Sequence, residues 1–260
     1  MYARKVFFWE PCIVATLICA LIPVYNNHQT IADVVTGVLG HVGKVVVVDD
    51  GSNDGTETIL DQLAEVDERI HVIHMPCNQG KGAAVQCGLH VAQEQGFVYA
   101  VQVDGDGQHQ LDDVPRFIDA GRKKNFEALV VGQPIFDDDI PFIRKHGRKL
   151  TNYMMALEMG TFQAPDGNCG FRAYPVQAIC DIGKMGNRMS WDPEVLVRAS
   201  WAGVPIVQVP TKVRYLSAKE GGVSHFRMVR DNILHTWLHI RLLLQSPIRL
   251  FYRWLKGFWT

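Results

Sequence analysis

The segment Val101-Gln-Val-Asp-Gly-Asp-Gly-Gln-His109 closes an apolar run, 97–103, with two carboxylates one residue apart. On extended backbone the side chains alternate with period two, so Asp104 and Asp106 lean to the same side. Two carboxylates converging at the C-terminal end of a strand, flanked by glycines that admit a ligand, suit a hard divalent cation such as Mg²⁺ or Mn²⁺. Gln108 and His109 are candidates to complete that shell. The competing reading is a polar turn, because Asp-Gly dipeptides commonly join elements.

Three further segments carry chemistry-bearing residues just past an apolar run. Ile22-Pro-Val-Tyr-Asn-Asn27 ends the first run, with Pro23 expected to end a strand ladder and Asn26-Asn27 to serve as turn and helix cap. Asp49-Asp-Gly-Ser-Asn-Asp-Gly-Thr56 follows a run of four valines. Acidic residues there can accept hydrogen bonds from a base or a ribose, and Asp50 is the candidate. Asp54 or Thr56 reads more simply as an N-cap. Asn78-Gln-Gly-Lys-Gly82 enters a helix, where one lysine on a glycine-rich N-terminus can hold an anion. The Walker pattern is absent, so this is no P-loop. Gly82 reads equally as a close helix–sheet contact.

The elements that must position these residues follow from the hydrophobic pattern. Strands are expected at 15–21, 44–49, 70–74 and 97–103, with helices at 30–39, 57–64 and 81–95 between them. The order β-α-β-α-β-α-β within about 110 residues specifies a doubly wound, mostly parallel α/β sheet with helices on both faces, which binds ligands at the carboxyl ends of its strands. Pro23, Tyr25, Asn26, Asp50, Lys81, Asp104, Gly105 and Gln108 all fall at such ends. Further along, a helix is expected at 112–124, a strand at 127–132, and a solvated loop with Asp137-Asp138-Asp139 at 133–141. The helix 142–158 carries Arg144, Lys145, Arg148 and Lys149, either as a solvated face or as a holder of an anionic acceptor. Asp166-Gly-Asn-Cys-Gly-Phe-Arg-Ala-Tyr174 reads as a glycine turn and a short strand, and Met189-Ser-Trp-Asp-Pro-Glu194 opens a helix. Asp192 there is either an ordinary cap next to a proline or a carboxylate aimed into the site. Two short strands, 206–209 and 213–215, precede a polar glycine-rich loop, 217–226, able to close over a phosphate-bearing ligand.

Composition bounds the reading. At 260 residues and 47% hydrophobic content, the chain can fill one large α/β core with an appendage. Lys and Arg number 26 against 27 Asp and Glu, which argues against nucleic-acid binding through a basic face. Six scattered cysteines without Cys-x-x-Cys indicate a reduced, cytosolic protein without a zinc or disulfide frame. Arg4-Lys5 and the apolar run to Val24 imitate a signal or anchor. Glu10 and Pro11 interrupt that run, and the remainder is short of the ~20 residues a span needs. The tail, 228–260, reads as helical with Pro247 as a break. It interleaves Arg241, Arg249, Arg253 and Lys256 with Trp237, Phe251, Trp254, Phe258 and Trp259, a pattern suited to a membrane surface or to self-association.

Taken together, Ile-Pro-Val-Tyr-Asn at 22–26, Val-Val-Asp-Asp-Gly-Ser-Asn-Asp-Gly-Thr at 47–56, Asn-Gln-Gly-Lys-Gly at 78–82 and Asp-Gly-Asp-Gly-Gln-His at 104–109 resemble the family 2 glycosyltransferases of the GT-A fold, near the polyprenyl-phosphate sugar transferases. The resemblance spans roughly 16–230. It implies an inverting, metal-dependent transferase domain, 1–227, using a UDP- or GDP-sugar at the inner membrane face, with a lipid-linked or membrane-associated acceptor. It places Pro23, Tyr25 and Asp50 at the base, Asp104 at the ribose, and Asp106 with Gln108 on the metal. Asn26, Lys81 and Gly105 complete the donor side, joined by Ser224, His225 and Arg227 of the loop that closes on the diphosphate. Trp191-Asp192, six before Arg198, resembles the acidic motif of the acceptor-side helix, which makes Asp192 the candidate general base and sets Trp191 and Arg148 on the acceptor. Polyprenyl-phosphate transferases usually carry Ser-Arg after the fifth strand, where this chain has Gln133-Pro134. That departure favours a hydroxyl acceptor. A nucleotidyltransferase or a non-catalytic nucleotide-sugar module are the alternatives; a dinucleotide oxidoreductase is disfavoured because no Gly-x-Gly-x-x-Gly follows the first strand.

Overall fold

A computed structural model of the chain describes residues 16–135, 142–212 and 228–259. Seven strands form one sheet: β1 Ile18–Val24, β2 Val45–Asp49, β3 Ile70–His74, β4 Tyr99–Gln102, β5 Leu129–Ile135, β6 Arg172–Pro175 and β7 Ile206–Lys212, in the spatial order β3-β2-β1-β4-β6-β5-β7. All ladders are parallel except the two made by β6, which runs antiparallel between β4 and β5.

Every second residue of β1 faces one of two separate cores. Ile18, Ala20, Ile22 and Val24 pack under α1 (Ile31–Leu39), α2 (Thr56–Val66) and α4 (Val114–Arg122). Cys19 and Leu21 pack on the other face with α3 (Lys81–Glu94), α6 (Val176–Cys180) and α7 (Trp191–Ala202). Both faces being covered explains why these strands read as unbroken apolar runs. The chain winds outward on the α1 side from β1 to β3, then returns across the other face through α3 to β4. The β1–β4 boundary is therefore the topological switch point, the place where sheets of this kind form a crevice at the strand ends.

Four prolines depart from expectation. Pro23 lies inside β1, opposite Val48, rather than ending it. Leu21 accepts from Val103 on the β4 side and Val24 accepts from Asp50 on the β2 side. Pro23 thus turns its nitrogen toward β4, whose ladder has already stopped at Gln102, and no bond is lost. The first strand also begins three residues later than expected, and β5 continues through Gln133-Pro134 to Ile135 because β7 pairs along its length. Pro210 lies within a single strand β7, which pairs with β5 alone. Pro247 lies within one continuous helix, α8, Met228–Trp259, rather than breaking it. The Asp137–Asp139 run, the 213–215 strand and the 217–226 loop lie outside the described residues.

The tail helix is half integrated. Leu238 and Leu242 enter the second core, His239 Nδ1 lies 2.7 Å from Glu158 Oε1 on α5 (Phe142–Met159), and Arg241 donates to Glu194 at 2.7 Å. Its opposite face is exposed.

Candidate active site

β4 stops at Gln102, and the chain then turns, with Gly107 in the left-handed region at φ 72°. Asp104 and Asp106 are thus on a turn rather than on extended backbone, and the turn gives them different surroundings. Asp104 is the better partnered of the two. Its Oδ2 accepts from Lys81 Nζ at 2.9 Å and lies 3.3 Å from His109 Nε2, while Oδ1 accepts from Gln102 Nε2 at 3.1 Å. Burial alone would raise its pKa, but the Lys81 charge and the His109 contact hold it well below the usual carboxylate range. His109 is consequently a buttress for Asp104, its ring centroid 5.1 Å from that of Phe171, rather than part of a metal shell.

Asp106 is the opposite case. Its Oδ1 accepts one backbone N–H, from Gln108 at 3.1 Å. Burial, then the neighbouring Asp104 charge, push its pKa up. A desolvated carboxylate beside another anion lacks a cation, and oxygen donors suit Mg²⁺ or Mn²⁺. Among the described residues no three His, Cys, Asp or Glu side chains converge as a metal cage. A Mg²⁺ bound with substrate phosphates needs none, taking one or two carboxylates and completing its shell with phosphate oxygens and water. The residues present fit such an ion.

Lys81, the first residue of α3, joins two elements. It lies 2.9 Å from Asp104 and 3.4 Å from Asp192 Oδ2. Burial disfavours its charge, but the two carboxylates outweigh that and raise its pKa far above the ordinary lysine value. Asp192 sits within the first turn of α7, one residue past the helix start, and is 5% exposed. Arg172 Nη1 is 3.7 Å from Asp192 Oδ1 and donates to its backbone carbonyl at 2.7 Å. Arg172 also donates to the carbonyls of Cys169 and Gly167, pinning the 166–170 turn over the crevice. Gly170 passes so close that an added Cβ would lie 2.6 Å from Lys81 Nζ and overlap Asp104 Oδ2.

The donor-side loops are tied to one another. Asp50 is 2% exposed and accepts the N–H groups of Gln79 and Gly80, each at 2.7 Å, so its carboxylate shapes the turn into α3. Burial pushes its pKa up. Asn26, left-handed at φ 53°, takes the N–H of Asn53 and donates back to its side chain. Pro23 is buried and Tyr25 half-buried beside them. Gly105 is buried under Val24, and its carbonyl accepts from Thr30 at 2.7 Å.

On the acceptor side, Arg148 reaches Asp166 at 3.8 Å, at the base of the pinned turn. Trp191 is 1% exposed and packed in the second core, so its indole offers no face to an acceptor; its Cβ sets the close approach to Gly82. Ser224, His225 and Arg227 lie outside the described residues. Sequence reasoning passed over Arg172, Gln102 and Tyr174. The available signal was a charged and two polar groups placed within otherwise apolar strands.

A UDP-N-acetylglucosamine–dolichyl-phosphate N-acetylglucosaminyltransferase of Methanococcus voltae is 29% identical over 217 residues, covering 76% of this chain and 86% of that protein. An undecaprenyl-phosphate mannosyltransferase of Micrococcus luteus is 27% identical over 210 residues, covering 74% and 82%. Among solved structures, mannosyl-3-phosphoglycerate synthase of Rubrobacter xylanophilus shares the fold, with a TM-score of 0.64 at 13% identity over 93% of this chain and 79% of that one. The model of glycosyl transferase family 2 matches residues 19–183, from β1 through α6, and the chain belongs to that family.

Proposed function

We propose that this chain transfers a sugar from a UDP- or GDP-sugar to a lipid-linked acceptor at a membrane surface, with inversion at the anomeric carbon. The observation that carries this reading is Lys81, which ties the donor-side carboxylate Asp104 to the acceptor-side carboxylate Asp192 across the crevice at the β1–β4 boundary. Pro23, Tyr25 and the Asp50–Gly80 turn form the base wall, and Asp104 faces the ribose. Asp106, with Gln108, would hold Mg²⁺ or Mn²⁺, which when bound neutralises the charge that develops on the leaving diphosphate. Asp192 Oδ1 is buried and accepts no hydrogen bond, so it has lone pairs for an acceptor hydroxyl and is placed to take its proton. The relatives named above act on dolichyl and undecaprenyl phosphates, which supports a lipid acceptor.

The surface supports the same location. Ile233, Trp237, Ile240, Leu244, Ile248 and Phe251 recur every three or four residues along the exposed face of α8. The α5 helix adds exposed Leu150, Tyr153 and Leu157. These two helices hold nine Lys and Arg against two Asp and Glu, whereas the rest of the chain holds 17 against 25. An apolar stripe with basic flanks on an otherwise acidic protein suits the interface of an anionic bilayer. Among the described residues no helix is long and apolar enough to cross a membrane. We place the protein peripherally at the cytoplasmic face.

The test is transfer of labelled sugar from UDP- and GDP-sugars into a lipid extract, with and without Mn²⁺. Metal-dependent transfer to the organic phase is expected, lost in Asp106→Ala and reduced ~10²–10⁴-fold in Asp192→Asn, the range of general-base catalysis. Donor binding with no transfer to any lipid would overturn the proposal.

A further inference from the structure

Tyr174 and Gln102 form a polar chain inside the sheet. The antiparallel register of β6 sets Tyr174 opposite Ala100 and Arg172 opposite Gln102. Both Tyr174 and Gln102 are wholly buried. The Tyr174 hydroxyl donates to Gln102 Oε1 at 2.8 Å, and Gln102 Nε2 donates to Asp104 Oδ1 at 3.1 Å. The direction of the amide is forced at both ends. An ionised Asp104 accepts only from the NH₂ end, which leaves the carbonyl for the phenol. Burial pushes the Tyr174 pKa up to about 12, so the phenol keeps its proton as a donor. Packing alone does not call for this arrangement, since an apolar pair of the same shape in a buried strand is nearly neutral for stability. The phenol also faces Arg172 and Trp191, and on the Gln102 side the chain of bonds ends at the Asp104 carboxylate, whose other oxygen is held by Lys81 and His109.

We infer that Gln102 and Tyr174 are positioning residues that fix the rotation of the Asp104 carboxylate for the ribose of the donor. The inference rests on the donor-site reading above. It makes the antiparallel strand β6 part of the donor site through Asp104. With Gln102 truncated, Asp104 remains ionised beside Lys81 but is clamped from one side only; with Tyr174 truncated, Gln102 loses the bond that fixes its amide against Asp104. An interaction present equally in ground and transition states affects KM rather than kcat.

The experiment compares wild type, Tyr174→Phe, Gln102→Leu and the double variant for donor Kd, donor KM, kcat and Tm, using whichever of the UDP- and GDP-sugars wild type accepts. We expect donor KM and Kd to rise about tenfold in each single variant, with kcat within about threefold of wild type. The double variant should match the singles in donor affinity, because one relay has been cut in each case, while regaining thermal stability over Tyr174→Phe. Donor affinity unchanged in variants that melt cooperatively would overturn the relay and leave the donor site standing. Effects on KM that add up in the double variant would likewise overturn it. Wild type that binds neither UDP- nor GDP-sugars would instead remove the donor-site reading itself, and the inference with it.

Discussion

Replacing Lys81 with Met leaves a similar volume and removes one charge from a cluster of four. The Lys81 side chain is 16% exposed, and its partners Asp104 and Asp192 are 21% and 7% exposed. At an effective dielectric constant of about 20, contacts at 2.9 and 3.4 Å correspond to roughly 6 and 5 kcal/mol of gross attraction. Desolvation cancels much of that in the native protein. Removing Lys81, however, leaves Asp104 without its cation at low exposure and Asp192 with Arg172 alone at 3.7 Å, and breaking a buried pair in this way costs about 3–5 kcal/mol. For a chain of this length, ~2–4 °C of melting temperature per kcal/mol gives a fall of roughly 6–20 °C. Near-UV circular dichroism melts at neutral pH read it directly. The cause is separable from lost packing, because adding Asp104→Asn to Lys81→Met removes one of the stranded anions and should recover part of the loss. A Lys81→Met protein that melts within about 2 °C of wild type, or a double variant no more stable than the single one, would refute the claim that this is a desolvated ion cluster held by one lysine.

Two shorter predictions test the loops around the crevice. Burial of Asp54 opposes its ionisation, but hydrogen bonds from the Thr56 hydroxyl and N–H and from His28 outweigh it and lower its pKa to about 2. A depressed carboxylate stabilises the fold above its unfolded value near 4 and loses that contribution as pH falls through its folded value. The gap in urea midpoint between wild type and Asp54→Asn should therefore be full at pH 6 and narrow from about pH 4 toward pH 2; a gap independent of pH would count against these bonds. Gly170→Ala places a methyl group against the far ends of Lys81 and Asp104 rather than against backbone. Overpacking of this kind costs about 1–3 kcal/mol. Transfer activity should fall far more than stability does, and a Gly170→Ala enzyme of wild-type kcat/KM would show that the Lys81–Asp104 contact is not needed in that geometry.

The chain order of elements, and the placing of Asp50, Lys81 and Asp104 just past apolar runs, were legible in the amino acids alone. Strands buried on both faces are apolar at nearly every position, with Gln102 and Arg172 among the exceptions, and polar and glycine residues fall mostly in the loops, so the elements are written locally although their ends shift by a few residues. The same is true of the amphipathic tail, whereas the close approach expected between Gly82 and the sheet is made instead to the 186–188 segment and to Trp191. What tertiary structure alone decided was pairing. The antiparallel insertion of β6 between β4 and β5 has no local signature, because side-chain alternation is the same in either strand direction. The tolerance of Pro23 and Pro210 depended on which side of each strand had a neighbour, and sequence does not state that. The chemical assignments turned on the same contacts. Asp104 and Asp106 are equivalent in the motif, yet the first is neutralised by Lys81, 23 residues away, and the second is left short of a cation. A carboxylate's character is set by burial and by the charges within a few ångströms, and those charges arrive from distant strands and helices only once the sheet has closed.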